Sequence, residues 1–202
     1  MDDETVFEDL KNKVSHCMNC PLYRTKNHYV FGAGSVNASI MFIGEAPGAN
    51  EDRIGKPFVG RAGKILDELL KSIDISREEV YIANILKCRP PQNRNPSSEE
   101  IAACVDYLNI QIDVIKPNIL VPLGSFASKY ILKKYDFPFQ SISEVHGKIF
   151  QKNTIFGIIH IIPMFHPAVA TYNPQKKTVL LKDIKKLSDM LSKYTIDSQI
   201  CR

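Results

Sequence analysis

Short apolar segments that alternate with amphipathic segments limit most strongly how this chain can fold. Apolar runs at 39–43, 80–86 and 119–123 have the length and the residue types of buried strands. Between them, apolar residues recur at helical spacing over 62–73 and from Ser97 onward, where Ser-Ser-Glu-Glu is typical of a helix start. Strands that alternate with helices predict an α/β fold, a three-layer sandwich in which helices cover both faces of a mainly parallel sheet.

The remaining segments extend this pattern. We expect helices over 3–15, after Gly124 and over 176–194, and one or two strands within 149–165. The 202 residues fit one domain, since domains usually contain about 100–200 residues. Ligands of open α/β sheets bind beyond the carboxyl ends of the strands. The segments that follow the strands, GEAPG, KCRPPQNRNP and FHPA, are therefore where we expect a functional site.

Composition excludes several classes of protein. Hydrophobic residues make up 44% of the chain and charged residues 24%, which is typical of a globular protein and not of a disordered tail or a fibre. No apolar run approaches the ~20 residues of a membrane span. The first ten residues are acidic and lack the basic start of a secretory signal, so we expect a cytoplasmic protein. The net charge of +4 permits contact with DNA phosphates but does not require it.

Five cysteines, at positions 17, 20, 88, 104 and 201, are the strongest chemical signal. An intracellular chain of this size needs no disulfide framework, so grouped cysteines indicate metal ligands or redox groups. Cys17 and Cys20 form a C-x2-C turn, Cys88 ends a predicted strand, and Cys104 lies about two turns into the next helix. Four thiolates suit either zinc or a [4Fe–4S] cluster, and buried structural cysteines are the alternative. Cys201 is predicted to be a bystander.

A glycine-rich loop follows the first predicted strand. Residues 44–64 contain five glycines and two prolines before a helix, which lets the backbone approach a ligand closely. The loop is not a P-loop, because Phe58 stands where the first glycine is required. The earlier Gly32-Ala33-Gly34 is too short for a dinucleotide fingerprint and predicts a turn.

Two polar residues stand at strand positions where a site is expected. Asn84 interrupts an apolar strand, so its amide either bridges structural groups or contacts a ligand. His166 precedes Pro167 at a strand end, where it either caps local backbone or belongs to a site. The residues alone leave both alternatives open.

Together these segments resemble the family 4 uracil-DNA glycosylases, the iron–sulfur type found in bacteria and archaea. The resemblance covers almost the whole chain in order and is carried by five segments: CMNCPL (17–22), GEAPGANEDRIGKPFVGRAGKILDELL (44–70), VYIANILKCRPPQNRNPSSEEIAAC (80–104), KPNILVPLGSFA (116–127) and HPA (166–168). It implies a monofunctional enzyme of base excision repair that flips uracil out of single- or double-stranded DNA and hydrolyses its N-glycosidic bond. It also implies a structural [4Fe–4S] cluster on Cys17, Cys20, Cys88 and Cys104.

The resemblance also implies a role for each site residue. Phe58 is expected to stack on uracil, Asn84 to read its N3–H and O4, and His166 to hydrogen-bond O2. Gly44 and Ala46 are expected in the base site. Glu45 is the expected carboxylate near the sugar, with Glu51 and Asp52 as alternatives.

The chain departs from the family pattern in three places. Residues 169–174 read VATYNP where relatives have leucines and an arginine, so no wedge residue is assigned. An upstream Arg-Gly is His146-Gly147 here, and no basic insertion follows Gly63-Lys64, which predicts ordinary turnover. The alternative function is a non-catalytic iron–sulfur module that binds nucleic acid. We expect a monomer, with a sliding clamp as a candidate partner.

Overall fold

A mixed six-stranded sheet forms the centre of the computed structural model, which describes the backbone of residues 3–200 and the side chains of residues 3–191. The strands are β1 (Ala33–Gly34), β2 (Ile40–Gly44), β3 (Tyr81–Asn84), β4 (Ile119–Pro122), β5 (Phe150–Thr154) and β6 (Gly157–Ile161). The helices are α1 (Asp3–Ser15), α2 (Ala49–Ile54), α3 (Arg61–Lys71), α4 (Ser98–Ile115), α5 (Ser125–Lys134), α6 (Ile142–Val145) and α7 (Pro174–Ile200). Short 3-10 helices span Pro21–Arg24, Pro91–Asn93 and Pro167–Thr171.

The strand order confirms the mainly parallel sheet. The strands lie in the order β1-β3-β2-β4-β6-β5, and the four central strands are parallel to one another. The two edge strands, β1 and β5, run antiparallel to their neighbours. The carboxyl ends of the central strands therefore lie together at one end of the sheet, as the sequence predicts.

Alternating side chains of β2 divide the core into two layers. Met41 and Ile43 pack with buried residues of α1, α4 and α5 on one face of the sheet. Ile40 and Phe42 pack with buried residues of α3 and α7 on the other face. Because both faces of the sheet are covered by helices, the three-layer α/β/α architecture is confirmed.

Two short elements differ from the sequence-based expectation. α2 forms within the segment that was expected to be a loop, because Gly48 and Gly55 stand at its two ends and do not interrupt it; Gly55 ends the helix with a left-handed backbone. Ala33-Gly34, expected as a turn, pairs with Tyr81 and Ile82 as an edge strand. The predicted bystander Cys201 lies outside the described residues. In the part of the chain that the structure describes, no helix is both long enough and apolar enough to cross a membrane.

A capping box begins α4 and fixes the loop before it. The Ser97 hydroxyl accepts a hydrogen bond from the Glu100 amide at 3.2 Å, and the Glu100 carboxylate accepts one from the Ser97 amide at 2.9 Å. Arg94 donates to both oxygens of the same carboxylate, at 2.9 and 2.6 Å. The Arg94 hydrogen bond lowers the pKa of Glu100 despite its burial. The expected helix start is confirmed, and it also holds Arg94.

Removing the cap should destabilise the protein measurably. Ser97→Ala leaves the Glu100 amide without its acceptor, so we expect the free energy of unfolding in urea to fall by about 1 kcal/mol. Ser98→Ala, one residue along on the exposed first turn, is the matched control and should change it by less than about 0.5 kcal/mol. Equal effects of the two substitutions would contradict a specific cap.

Candidate active site

One cavity of about 390 Å³ opens at the end of the sheet where the carboxyl ends of β2 and β3 lie side by side. Its volume lies in the range of small-molecule sites. The walls bring together five of the six residues expected at the catalytic and base site: Glu45, Ala46, Phe58, Asn84 and His166. The sixth, Gly44, does not line the cavity and pairs with Asn84 in the sheet beside it. Glu51 and Arg94 also line it, whereas Asp52 does not. Segments more than 100 residues apart in the chain thus meet at one site.

Asn84 ends β3 directly beside Gly44 of β2. The two residues are Cα partners in the parallel ladder, and Asn84 is only 2% exposed. A Cβ at position 44 would overlap Asn84 Oδ1 and lie 2.8 Å from a ring carbon of Phe58. Glycine at position 44 therefore lets the Asn84 amide and the Phe58 ring lie close together. Among the described residues, none donates to or accepts from the Asn84 side chain, which leaves the amide available to a ligand.

Phe58 forms one wall with a strained backbone. Its φ of +49° is in the left-handed region, which bulky residues rarely adopt. Its ring is 5% exposed and lies 5.6 Å from the His166 ring, centroid to centroid, with 29° between the planes. The two rings therefore stack on each other, and both line the cavity with Asn84.

His166 is held in one tautomer by local backbone. Its Nδ1 accepts a hydrogen bond from the Ala168 amide at 3.2 Å and so caps the 3-10 helix Pro167–Thr171. Burial lowers the pKa of His166 to about 4, against a smaller opposing effect of Glu51. The imidazole is therefore neutral near pH 7, and because Nδ1 is an acceptor, its proton is on Nε2. His166 therefore both caps local backbone and lines the cavity, so the two alternatives left open by the sequence do not exclude each other.

The three candidate carboxylates have different surroundings. Glu45 lines the cavity, burial raises its pKa, and no donor among the described residues binds its carboxylate. Glu51 Oε1 accepts from the amides of Val59 and Gly60 at 2.9 and 2.8 Å. Asp52 is 1% exposed, and both its oxygens accept hydrogen bonds from Asn27. Of the three, Glu45 alone lines the cavity with a carboxylate that has no donor in the described residues.

The four cysteines at 17, 20, 88 and 104 line a second, small cavity together with apolar and aromatic side chains. Burial raises the pKa of Cys88 to about 12 and that of Cys104 to about 11. The Lys87 amide donates to Cys104 Sγ at 3.3 Å. All four thiols are free of disulfide bonds. Between residues 3 and 191, no three His, Cys, Asp or Glu side chains form a group that could hold a metal ion.

Lys87 connects this cavity with the first one, and the sequence analysis missed it. Its side chain is 1% exposed, and Nζ donates to Asn84 O at 2.9 Å and to Gln111 Oε1 at 2.7 Å. Gln111 in turn donates to the Tyr81 hydroxyl and to Phe31 O. Burial lowers the pKa of Lys87 to about 8. Its only signal in the sequence is a single lysine between the apolar run 80–86 and Cys88.

The sequence matches the family model of the uracil DNA glycosylase superfamily over residues 31–188. It is 44% identical to the type-4 uracil-DNA glycosylase of Archaeoglobus fulgidus, over 93% of this chain and 94% of that protein. Identity is 45% to the type-4 enzyme of Saccharolobus solfataricus, over 93% and 87% of the two chains. Identity is 40% to the type-4 uracil-DNA glycosylase of Thermotoga maritima, over 94% of this chain and 97% of that protein. The chain belongs to the type-4 uracil-DNA glycosylases.

The protonation state of His166 in this type-4 glycosylase can be measured directly. We expect its ring signals in NMR, assigned by their loss in His166→Ala, to stay those of the neutral Nε2–H tautomer from pH 8 down to about pH 5. A histidine in an unfolded chain titrates near 6.5, so the unfolded state binds more protons between about pH 6.5 and pH 4. The His166 imidazole should therefore lower the free energy of unfolding as the pH falls from about 6.5 to about 4. A titration midpoint near 6.5 in the folded protein would contradict the burial argument.

Proposed function

We propose that this chain removes uracil from DNA as a monofunctional glycosylase that hydrolyses the N-glycosidic bond and leaves an abasic site. The observation that carries the proposal is the single cavity in which an available Asn84 amide, the Phe58 ring and the neutral His166 ring meet. The family to which the chain belongs supports the same reaction. A non-catalytic module would give these three groups no common purpose.

Asn84 distinguishes uracil from cytosine. Its carbonyl accepts from uracil N3–H and its amide donates to O4, whereas cytosine carries the reversed donor and acceptor pattern on that edge. A flipped cytosine would leave both groups mispaired in a buried site, at about 1–3 kcal/mol for each group. Flipping itself costs a few kcal/mol, which contacts to the DNA backbone offset. Arg94, half-exposed at the cavity, is suited to contact a phosphate.

His166 stabilises the departing base. Cleavage of the C–N bond leaves negative charge on uracil, and the Nε2–H of the neutral imidazole donates to O2, where this charge develops. Preorganised donors in a water-poor site contribute strongly to such a step. Because the pKa of His166 lies near 4, the ring donates this hydrogen bond without protonating the base at neutral pH.

Glu45 acts on the sugar and on the attacking water. Its carboxylate lines the cavity and has no donor in the described part of the chain, so it can favour the sugar cation and orient water. The hydrogen-bond partners of the other two carboxylates argue against them. Both oxygens of Asp52 accept from Asn27, and Glu51 accepts from the amides of the 59–60 backbone and holds it. Glu45 thus remains the carboxylate that we assign to the water.

A [4Fe–4S] cluster held by Cys17, Cys20, Cys88 and Cys104 is part of the proposal. Four free thiols around one apolar cavity, with a backbone amide donating to one sulfur, suit thiolate ligation, and the resemblance to the iron–sulfur type of glycosylase favours a cluster over a single zinc ion. When bound, the cluster supplies a cross-link between the N-terminal segment and α4. The single domain over 1–202, the monomeric state, the cytoplasmic location and a sliding-clamp partner stay predictions.

The first experiment offers the protein labelled oligonucleotides that carry one uracil, thymine or cytosine at the same place. We expect base release from the uracil strand alone, and strand breaks only after alkali, because no lysine is assigned to form a Schiff base. Binding of the uracil strand without release would overturn the glycosylase in favour of the binding module. Breaks without alkali would overturn the monofunctional assignment.

Loss of the His166 donor should slow chemistry without weakening DNA binding. We expect His166→Ala to reduce the single-turnover rate of uracil release by about 10²–10³-fold, as for the loss of one oxyanion donor. The affinity for uracil-free DNA should change little. His16→Ala, at the exposed position that follows α1, is the matched control and should behave as wild type. An unchanged rate in His166→Ala would remove the assigned role.

The cluster can be tested by its iron. Protein prepared without oxygen should be brown and contain about four iron atoms per chain. Cys104→Ser should lose iron and visible colour and unfold at a lower temperature, whereas Cys201→Ser should keep both. Colourless protein that contains zinc would contradict the cluster and leave the glycosylase proposal intact.

A further inference from the structure

We propose that Arg77 positions Phe58, so that this arginine acts on uracil release without touching the DNA base. The inference rests on the proposed function, in which the Phe58 ring stacks on uracil. Arg77 lies between α3 and β3, outside every motif that the sequence analysis singled out. It does not line the cavity, so it can affect the base site only through its neighbours.

The Arg77 guanidinium binds two successive carbonyl groups of the glycine-rich loop. Nη2 donates to Pro57 O and Nη1 donates to Phe58 O, each at 2.8 Å. Nη1 also lies 2.8 Å from Asp67 Oδ1 on α3. The guanidinium is planar and its donors point in fixed directions, so it sets the orientation of both peptide groups at once.

The Phe58 backbone needs such support. A bulky residue at φ +49° persists only when its surroundings hold it there. The Phe58 carbonyl also lies directly against Gly63 of α3, where a Cβ would overlap it. On the other side of the peptide, Glu51 Oε1 accepts from the amides of Val59 and Gly60. Arg77 therefore binds the carbonyls of the strained turn while Glu51 binds its amides.

The simpler reading is that Arg77 only forms an ion pair with Asp67. The two side chains are 28% and 48% exposed, and exposed pairs of this kind contribute little to stability. Asp67→Asn removes the charge of the pair and leaves both carbonyl contacts in place. This variant therefore separates the two readings and is the matched control.

The experiment measures single-turnover release of uracil at saturating DNA, together with binding to DNA that carries an abasic analogue. We expect Arg77→Ala to slow release by about 10- to 100-fold, since small displacements of a positioning group have effects of this size. Binding of the abasic DNA should change by less than about twofold, because this DNA has no base for the positioned Phe58 ring to contact. Arg77→Lys, which keeps the charge but lacks the fixed two-nitrogen geometry of the guanidinium, should fall between wild type and Arg77→Ala, and Asp67→Asn should match wild type.

A double-mutant cycle with Phe58→Ala tests whether Arg77 acts through that ring. In the Phe58→Ala background, Arg77→Ala should slow release by less than about threefold, because the group that it positions is already gone. If Arg77→Ala does not fold, Arg77→Lys and Arg77→Gln complete the same cycle.

Two results would overturn the inference. One is uracil release at the wild-type rate in the Arg77 variants, and the other is an equal loss of rate with and without the Phe58 ring. Asp67→Asn slowing release as much as Arg77→Ala would favour the ion-pair reading. Wild-type protein that releases no uracil would instead overturn the proposed function, so the two failures are distinguishable.

Discussion

The parallel register between β2 and β3 is the constraint on which the rest of the site depends. It sets Gly44 beside Asn84 at the carboxyl end of the sheet, and both chain segments continue from there into the walls of the cavity. The bridge between Leu123 and Met164 extends the same parallel arrangement toward His166. A shift of one residue in this register would turn Asn84 to the opposite face of the sheet.

Hydrogen bonds join the cavity to the cysteine-bearing segments of the chain. Asp52, just behind the cavity wall, accepts hydrogen bonds from the backbone and side chain of Asn27, which follows the C-x2-C turn. Lys87, next to Cys88, donates to the backbone carbonyl of Asn84. Two separate sets of hydrogen bonds therefore connect the cysteine-bearing segments with residues in or next to the cavity wall.

The sequence predicted the layers and the members of the site better than their connections. The central strands and α4 were predictable because their apolar periodicity and the Ser97 cap are local signals. α2 was missed because glycines that bound a helix and glycines that form a loop have the same local pattern. Arg77 and Lys87 escaped notice because the contacts that link them to Phe58 and Asn84 are made to backbone carbonyls, which leave no trace in residue type.

Gly44, beside Asn84, and Gly48, in the cavity wall, differ in what a larger side chain would displace. At Gly44 the space for a methyl group is already filled by the side chains of Asn84 and Phe58. At Gly48 an added Cβ would meet only the terminal oxygen of Glu51, 2.7 Å away at the end of a flexible side chain. A side chain at position 44 would therefore displace the Asn84 amide or the Phe58 ring, whereas one at position 48 could enter the cavity by moving the carboxylate of Glu51 that holds the 59–60 backbone.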